Sequence, residues 1–404
     1  MKILHTADWH IGKKLHQFDL KEDVDLFMDW LVDLIQDKEI DVLLISGDVF
    51  DLANPSSEAR AQYYRSLIKF RQIDCKIIIT GGNHDSPNML NAPKELLNLL
   101  NIHVVGGMPE NMNEQIIALP NNENPELMVA AIPFLRDADL RKANEGETYE
   151  DRIKIHQKGI ENTYLSAAEY CLVKHPNIPI LAMGHLYTAG ATTSESERDI
   201  QMGNQAMFHA TRFGNNYQYI ALGHIHKPQR INNNTPTFYS GAPYPLSFSE
   251  RNDEKRVLLI DTEEGFEPTS IPVPVNRKLI RIQGDLHEIS LKLNSLETPY
   301  KLTSLIEIHM TEKEYSSEKV QALEDLINEF DQSGYEIIHR TIAFKNKIVG
   351  TSELYDSSQN LSELAPLDVF NKMIENHEMT EETRMEITNA FQIILEEVEQ
   401  EQQD

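Results

Sequence analysis

Short apolar runs alternate with longer amphipathic stretches along the first half of the chain. Ile3 to Thr6 reads as a strand ending at Asp8. Residues 20–35 place Leu20, Val24, Phe27, Leu31, Leu34 and Ile35 at spacings of three and four, which predicts an amphipathic helix. Asp41 to Ser46 (DVLLIS) is a continuous apolar strand of the kind buried on both faces. Asn54-Pro55 predicts the N-cap and first residue of a helix running to about Arg71. Cys75 to Thr80 is another buried strand, and more are expected at Met128 to Ala131, Ile178 to Met183, Tyr217 to Leu222 and Val257 to Asp261. Strand–helix–strand alternation implies right-handed crossovers and a mostly parallel sheet. The segment IPVPVN, residues 271–276, reads as a linker into a small α/β unit. That unit comprises Lys278 to Gln283, a helix near Glu288, Leu302 to Met310, a helix from Ser317 to Gln332, and Tyr335 to Ala343. A polar stretch at 350–362 precedes two C-terminal helices. The first carries Leu367, Phe370, Met373 and Ile374, and the second Ile387, Phe391, Ile394, Leu395 and Val398.

Five of the expected strands end in one kind of chemistry. They run into Asp8-Trp9-His10, Gly47-Asp48 with Asp51 shortly after, Asn83-His84-Asp85, Gly184-His185, and Gly223-His224-Ile225-His226. Ligands of open α/β sheets bind at the carboxyl ends of the strands, so residues scattered between positions 8 and 226 can converge. Carboxylate, amide and imidazole without thiolate suit ions such as Mn²⁺, Fe²⁺ or Zn²⁺. The set is too large for one ion. Two ions about 3.5–4 Å apart, bridged by one carboxylate, would use it and would serve phosphoryl displacement. Each fragment alone is an ordinary turn. The five together, each behind an apolar run, point to a site.

Composition narrows the picture. At 404 residues the chain predicts two or three domains, and 40% hydrophobic content suffices for real cores. A net charge of −27 argues against a protein that simply coats nucleic acid. That charge is uneven: residues 351–404 hold 14 acidic and 2 basic residues, so this tail alone supplies −12. The two cysteines, Cys75 and Cys171, sit among apolar residues without CxxC spacing, which fits buried small hydrophobes and a reducing cytoplasm. MKILHTADWH lacks the apolar core of a signal peptide, and no run approaches the 18 or so apolar residues of a membrane span.

The motifs DxH, GD, GNHD, GH and GHxH resemble the calcineurin-like metallophosphoesterase pattern. HTADWHIGK at 5–13, GDVFD at 47–51, GHLYTAGATTSESER at 184–198 and SGAPYPLSFSE at 240–250 narrow the resemblance to the SbcD family of bacterial nuclease subunits. The likeness is strong over about residues 1–275 and rests on layout beyond. It implies an α/β metallophosphoesterase sandwich of β-sheets flanked by helices, with a small α/β capping domain and C-terminal helices. The domain scheme is then 1–275 nuclease, 276–348 cap, 349–363 linker and 364–404 helices for an SbcC-type partner. The resemblance also implies the roles. Asp8, His10, Asp48 and His226 would hold one ion, and Asp48, Asn83, His185 and His224 the other, with Asp48 bridging and Mn²⁺ as the expected metal. His84 would be catalytic and not a ligand, and Asp85 would orient His84 or a neighbouring imidazole. Lys13, Lys14, Arg198 and Arg251, in loops near the motifs, are candidates for DNA phosphates, although each also reads as an ordinary solvated charge. His5 and His16 read as structural.

The implied function is a metal-dependent nuclease on DNA ends, exonucleolytic on duplexes and endonucleolytic on single strands or hairpins. It would act with an SbcC-type ATPase as a homodimer within a heterotetramer, with helices 20–35 and 55–71 supplying part of the dimer surface. The sequence has no GxxxxGK[ST] run, so ATP would be bound by the partner and not by this chain. The alternative on the same metal core is a phosphodiesterase for a small nucleotide or lipid-linked substrate.

Overall fold

In a computed structural model of the chain, the described residues are 1–70, 73–140, 149–197, 207–296 and 300–345, together with Phe370, Ile387, Thr388, Ala390 and Phe391. Two six-stranded sheets carry the fold. The first runs Thr269–Pro272, Arg256–Asp261, Lys2–Thr6, Val42–Ser46, Lys76–Thr80 and Ile102–Val105 in spatial order. Its last four strands are parallel and its first two joins antiparallel. The second runs Gln229–Ile231, Thr237–Tyr239, Tyr219–Gly223, Ile180–His185, Leu127–Ala131 and Ile116–Leu119. Its inner four strands are parallel and both outer joins antiparallel. The expected parallel sheet is thus two parallel centres, each finished by antiparallel strands.

Side chains alternate across a strand, and here both faces are apolar. Ile3, Val42, Leu44 and Ile78 meet Leu181, Met183, Tyr219 and Ala221 in one core layer between the sheets. Their neighbours Leu4, Leu43, Ile45, Ile77 and Ile79 join a second layer with Val24, Phe27, Leu31, Tyr63 and Leu67 from helices Lys21–Lys38 and Ser57–Phe70. On the far face of the second sheet, Ala130, Ala182, Ile220 and Leu222 pack with Ile160, Tyr164, Ala167 and Cys171 of helix Tyr149–Lys174. Each such aliphatic side chain contributes roughly 1.5–3 kcal/mol by leaving water. The arrangement is a sandwich flanked by helices.

Local details depart from the sequence reading where side chains compete for caps. The second helix begins at Ser57, not Pro55, because the Ser56 hydroxyl accepts the Ala59 N–H at 3.1 Å and serves as the cap. The supposed linker contributes its first residues, Ile271 and Pro272, to an edge strand. Cys75 and Cys171 are buried and free, as the composition suggests.

By packing, the chain divides into two compact units. One comprises 1–282, 296–308 and 331–340, and the other 283–295, 309–330 and 341 onward. Strands Leu279–Gly284, Ser304–Glu312 and Tyr335–Phe344 form a three-stranded sheet. In the second unit, Asp285 and Ser316 cap helices Leu286–Asn294 and Ser317–Glu329 by accepting the N–H groups of Glu288 and Lys319. No helix among the described residues is long and apolar enough to cross a membrane. The 349–363 segment and most of 364–404 lie outside the described residues.

Candidate metal centre

The five strand ends meet. Past the strands Lys2–Thr6 and Val42–Ser46 the two loops continue to pair, with Asp8 N–H donating to the Gly47 carbonyl at 3.1 Å and His10 N–H to that of Asp48 at 3.0 Å. Four non-glycine residues here sit at positive φ: Asp8 at 55°, His10 at 45°, Asp48 at 48° and His224 at 100°. Such conformations cost of order 1–3 kcal/mol each and persist where surrounding structure enforces them, most often at functional sites. Gly82 is needed for approach and not for its φ: a Cβ there would collide with the Asp48 carboxylate.

Asp8, His10 and His226 place donor atoms within 4.8 Å of one another, as do Asp48, His185 and His224, and His10, Asp48 and His84. All of these residues are buried. The hydrogen bonds fix the tautomers. His185 Nδ1 lies 2.9 Å from the Ser46 carbonyl, which can only accept, so Nδ1 carries the proton. Its Nε2, the atom left for a metal, faces Asn83 Oδ1 at 3.0 Å and Asp48 Oδ2 at 3.3 Å. His10 Nδ1 is likewise held by Asp51 Oδ1 at 3.2 Å, which leaves Nε2 facing His226 Nε2 at 3.1 Å. Asn83 Oδ1 also faces His224 Nδ1 at 3.2 Å. Carboxylate, amide and imidazole atoms of several groups thus converge, held together by shared protons that a cation would displace.

The charge states fit that reading. Asp8 Oδ1 accepts the His224 N–H at 2.9 Å, while Oδ2 is buried without a hydrogen-bond partner. Burial pushes the Asp8 carboxyl up to about 7, outweighing the neighbouring imidazoles. Burial lowers His10 to about 4 and His224 well below its usual value, so both imidazoles are neutral, the form that ligates metal. Burial also acts against protonation of His185, yet the Asp48 carboxylate raises it to about 9. A cation would replace that proton. Buried oxygens and neutral imidazoles without thiolate are the donor set of a divalent metal site.

His84 Nδ1 donates to the Asp51 carbonyl at 2.7 Å, and its Nε2 lies 3.9 Å from Asp48 Oδ2. Its backbone N–H donates to Asp48 Oδ1 at 2.9 Å. Asp85, expected to orient an imidazole, instead holds backbone. Its carboxylate accepts the N–H groups of Gly82 at 2.9 Å, Phe50 at 3.0 Å and Val49 at 3.1 Å. It therefore ties the loop carrying Asn83 and His84 to the one carrying Asp48. The orienting role falls to Asp51, which touches both His10 and His84; the sequence marks it beside Asp48 at the second strand end without giving it a role. Ser196, Glu197 and Glu250 beside His226 lie in the runs quoted at 184–198 and 240–250, whose spacing gives none of them a role.

The candidate DNA contacts divide. Lys13 Nζ is paired with Asp51 at 3.1 Å, where the carboxylate is held down to about 2, against burial, by His10 and Lys13. Lys14 is exposed in the same loop. Arg251 donates to the Phe248 carbonyl at 3.0 Å. Arg198 lies outside the described residues. His5 is buried against the Tyr219 hydroxyl at 2.9 Å and is structural.

The model of the calcineurin-like phosphoesterase family matches residues 1–228, and that of a C-terminal domain described from the type 5 capsule protein repressor matches 275–378. The chain is similar to the SbcD component of the nuclease SbcCD of Escherichia coli K12, 31% identical over 98% of both chains. It is also similar to the corresponding SbcD proteins of Rhodobacter capsulatus and Bacillus subtilis. The first is 33% identical over 74% of this chain and 76% of the relative. The second is 32% identical over 67% and 68%. By family model, by likeness over nearly its whole length and by the converging donors, the chain belongs to the SbcD family of calcineurin-like phosphoesterases.

Proposed function

We propose that this chain is the nuclease subunit of an SbcCD-type complex and hydrolyses phosphodiesters of DNA ends with two Mn²⁺ ions. The observation that carries the reading is the convergence of six donors in two adjoining buried clusters, with Asn83 Oδ1 against the rings of His185 and His224 and with His84 beside them. Asp8, His10, Asp48 and His226 would hold one ion and Asp48, Asn83, His185 and His224 the other. The ions, once bound, supply an activated water and charge neutralisation for an in-line displacement. The chain's own residues do the rest. Asp48 links the two clusters. Asp51 holds the rings of His10 and His84. His84, fixed through Nδ1, presents Nε2 toward the site, where a proton on it can pass to the leaving oxygen.

A small-molecule phosphodiesterase is the less favoured reading. Likeness to the SbcD relatives spans the small sheet and the C-terminal region as well as the metal core. Comparing turnover of a labelled linear duplex with that of a chromogenic phosphodiester tests the choice. Preference for the duplex is expected, and activity confined to the small ester would reverse the assignment.

The complex would form in the cytoplasm from two copies of this chain and two SbcC-type ATPases. In the scheme of domains, residues 364–404 are the docking helices for the ATPase. The rings of Phe370 and Phe391, one from each apolar stripe, stack at 4.0 Å. The acidic positions Glu396, Glu397 and Glu399 would meet basic residues of the partner and speed encounter. Dimer contact would use helices Lys21–Lys38 and Ser57–Phe70, the second of which leaves Tyr64 and Ile68 exposed. Deleting residues 361–404 is expected to abolish SbcC binding while the truncated chain stays folded, dimeric by light scattering at tens of micromolar, and active with Mn²⁺. Retained co-purification with SbcC would return these helices to an intramolecular role, and a strict monomer in both proteins would remove the dimer.

A further inference from the structure

The side chains behind His226 form a second layer that the chemistry above does not use. Ser196 Oγ lies 2.6 Å from His226 Nδ1 and donates its proton to Glu250 Oε1. A hydroxyl that has given its only proton to a carboxylate can only accept from the imidazole. In the neutral ring that binds metal, His226 therefore carries its proton on Nδ1 and keeps a lone pair on Nε2, the atom that faces His10. Glu250 Oε1 also lies 3.4 Å from His226 Nδ1 itself. The backbone of His226 is held by the same layer: its N–H donates to Glu197 Oε1 at 2.9 Å, and its carbonyl accepts from Lys255 Nζ at 3.0 Å.

Glu250 is the centre of this layer. It is fully buried, and its carboxylate is satisfied on every side. Besides Ser196, it accepts from Lys255 Nζ at 2.5 Å, and from the Leu246 N–H and Ser194 Oγ at 3.3 Å each. A carboxylate and an ammonium kept together in a dry interior give little stability over apolar residues of the same volume. Their arrangement here ends on one ring nitrogen. It also gathers the two sequence motifs that the metal ligands leave unexplained, residues 194–197 of GHLYTAGATTSESER and Glu250 of SGAPYPLSFSE.

We propose that Glu250 is a positioning residue of the nuclease site: through Ser196 it fixes the tautomer and ring plane of His226, and so sets the affinity for the ion shared by Asp8, His10 and His226. The proposal rests on the assignment of His226 as a ligand. In Glu250→Gln the side-chain amide can donate to Ser196 and turn the hydroxyl proton toward His226 Nδ1. That favours the opposite tautomer, with Nε2 protonated and unable to bind metal. Ser196→Ala breaks the same relay at a half-buried residue that the core does not need.

The test is Mn²⁺ titration of the metal-free full chain, read by calorimetry and by electron paramagnetic resonance. The wild type should bind two ions and show the signal of a coupled pair. Glu250→Gln should bind one of the two roughly 10–100-fold more weakly, the usual weight of a residue behind a ligand. It should show the signal of an isolated ion until Mn²⁺ is raised well above the chain, and regain wild-type turnover at saturating Mn²⁺. Ser196→Ala should shift the same site in the same direction. Wild-type affinity for both ions in Glu250→Gln and Ser196→Ala overturns the proposal. If Glu250→Gln does not fold, Ser196→Ala decides alone. His226→Ala is the separate control: should it still bind two ions, the ligand assignment falls, whatever Glu250 does.

Discussion

Asp48→Ala is expected to empty both metal sites and to cut turnover by about 10³-fold or more, since several kcal/mol of transition-state stabilisation leave with the ions. The expectation follows from position. Asp48 Oδ2 lies 3.6 Å from His10 Nε2 on one side and 3.3 Å from His185 Nε2 on the other. It belongs to one donor cluster with His10 and to another with His185 and His224. Without it the cluster of His185 and His224 loses its only carboxylate, the cluster of His10 and His226 is left with Asp8 alone, and His185 loses the carboxylate that raises it. Because Asp48 sits at a φ of 48°, alanine also adds backbone strain of about 1–2 kcal/mol. Asp48→Asn, which tolerates that conformation, separates the two effects. Elemental analysis of both variants, beside their melting temperatures, decides. Metal retained at wild-type level in a folded Asp48→Ala chain would rule out the bridging role.

His84→Ala should behave differently. Both ions should stay bound, while turnover falls by about 10²–10⁴-fold, the ordinary weight of a positioned acid–base group. His84 lies within ligand reach of His10 and Asp48, so distance alone admits it as a third ligand. Metal content decides its role. Its ring is anchored through Nδ1 to the Asp51 carbonyl, and Nε2 stands 3.9 Å from Asp48 Oδ2, farther than the imidazoles of His10 and His185. A His84→Ala chain that loses an ion would make His84 a ligand and leave the proton donor to be found elsewhere.

Much of this was legible in the sequence because the fold writes its site at strand ends. Apolar runs such as DVLLIS and KIIIT are buried on both faces, so they stand out by content alone, and the polar residues behind them mark the rim where ligands gather. The antiparallel edge strand Gln229–Ile231 and its inner neighbour Thr237–Tyr239 are three residues long, too short for a period to register. The supporting shell was not legible either. Asp85 binds backbone N–H groups on another loop, Asp51 reaches two rings through a carboxylate and a carbonyl, and Glu250 reaches His226 through a serine 54 positions away. These partners are chosen by three-dimensional approach, and nothing in local spacing encodes them.

Whether two ions on this one rim cleave DNA is tested most directly by titrating the metal-free chain with Mn²⁺ while following cleavage of an end-labelled linear duplex. Cleavage is predicted to be absent without metal and to reach its plateau as the second ion per chain binds. Full cleavage with one ion bound, or undiminished cleavage in a chelator, would contradict it.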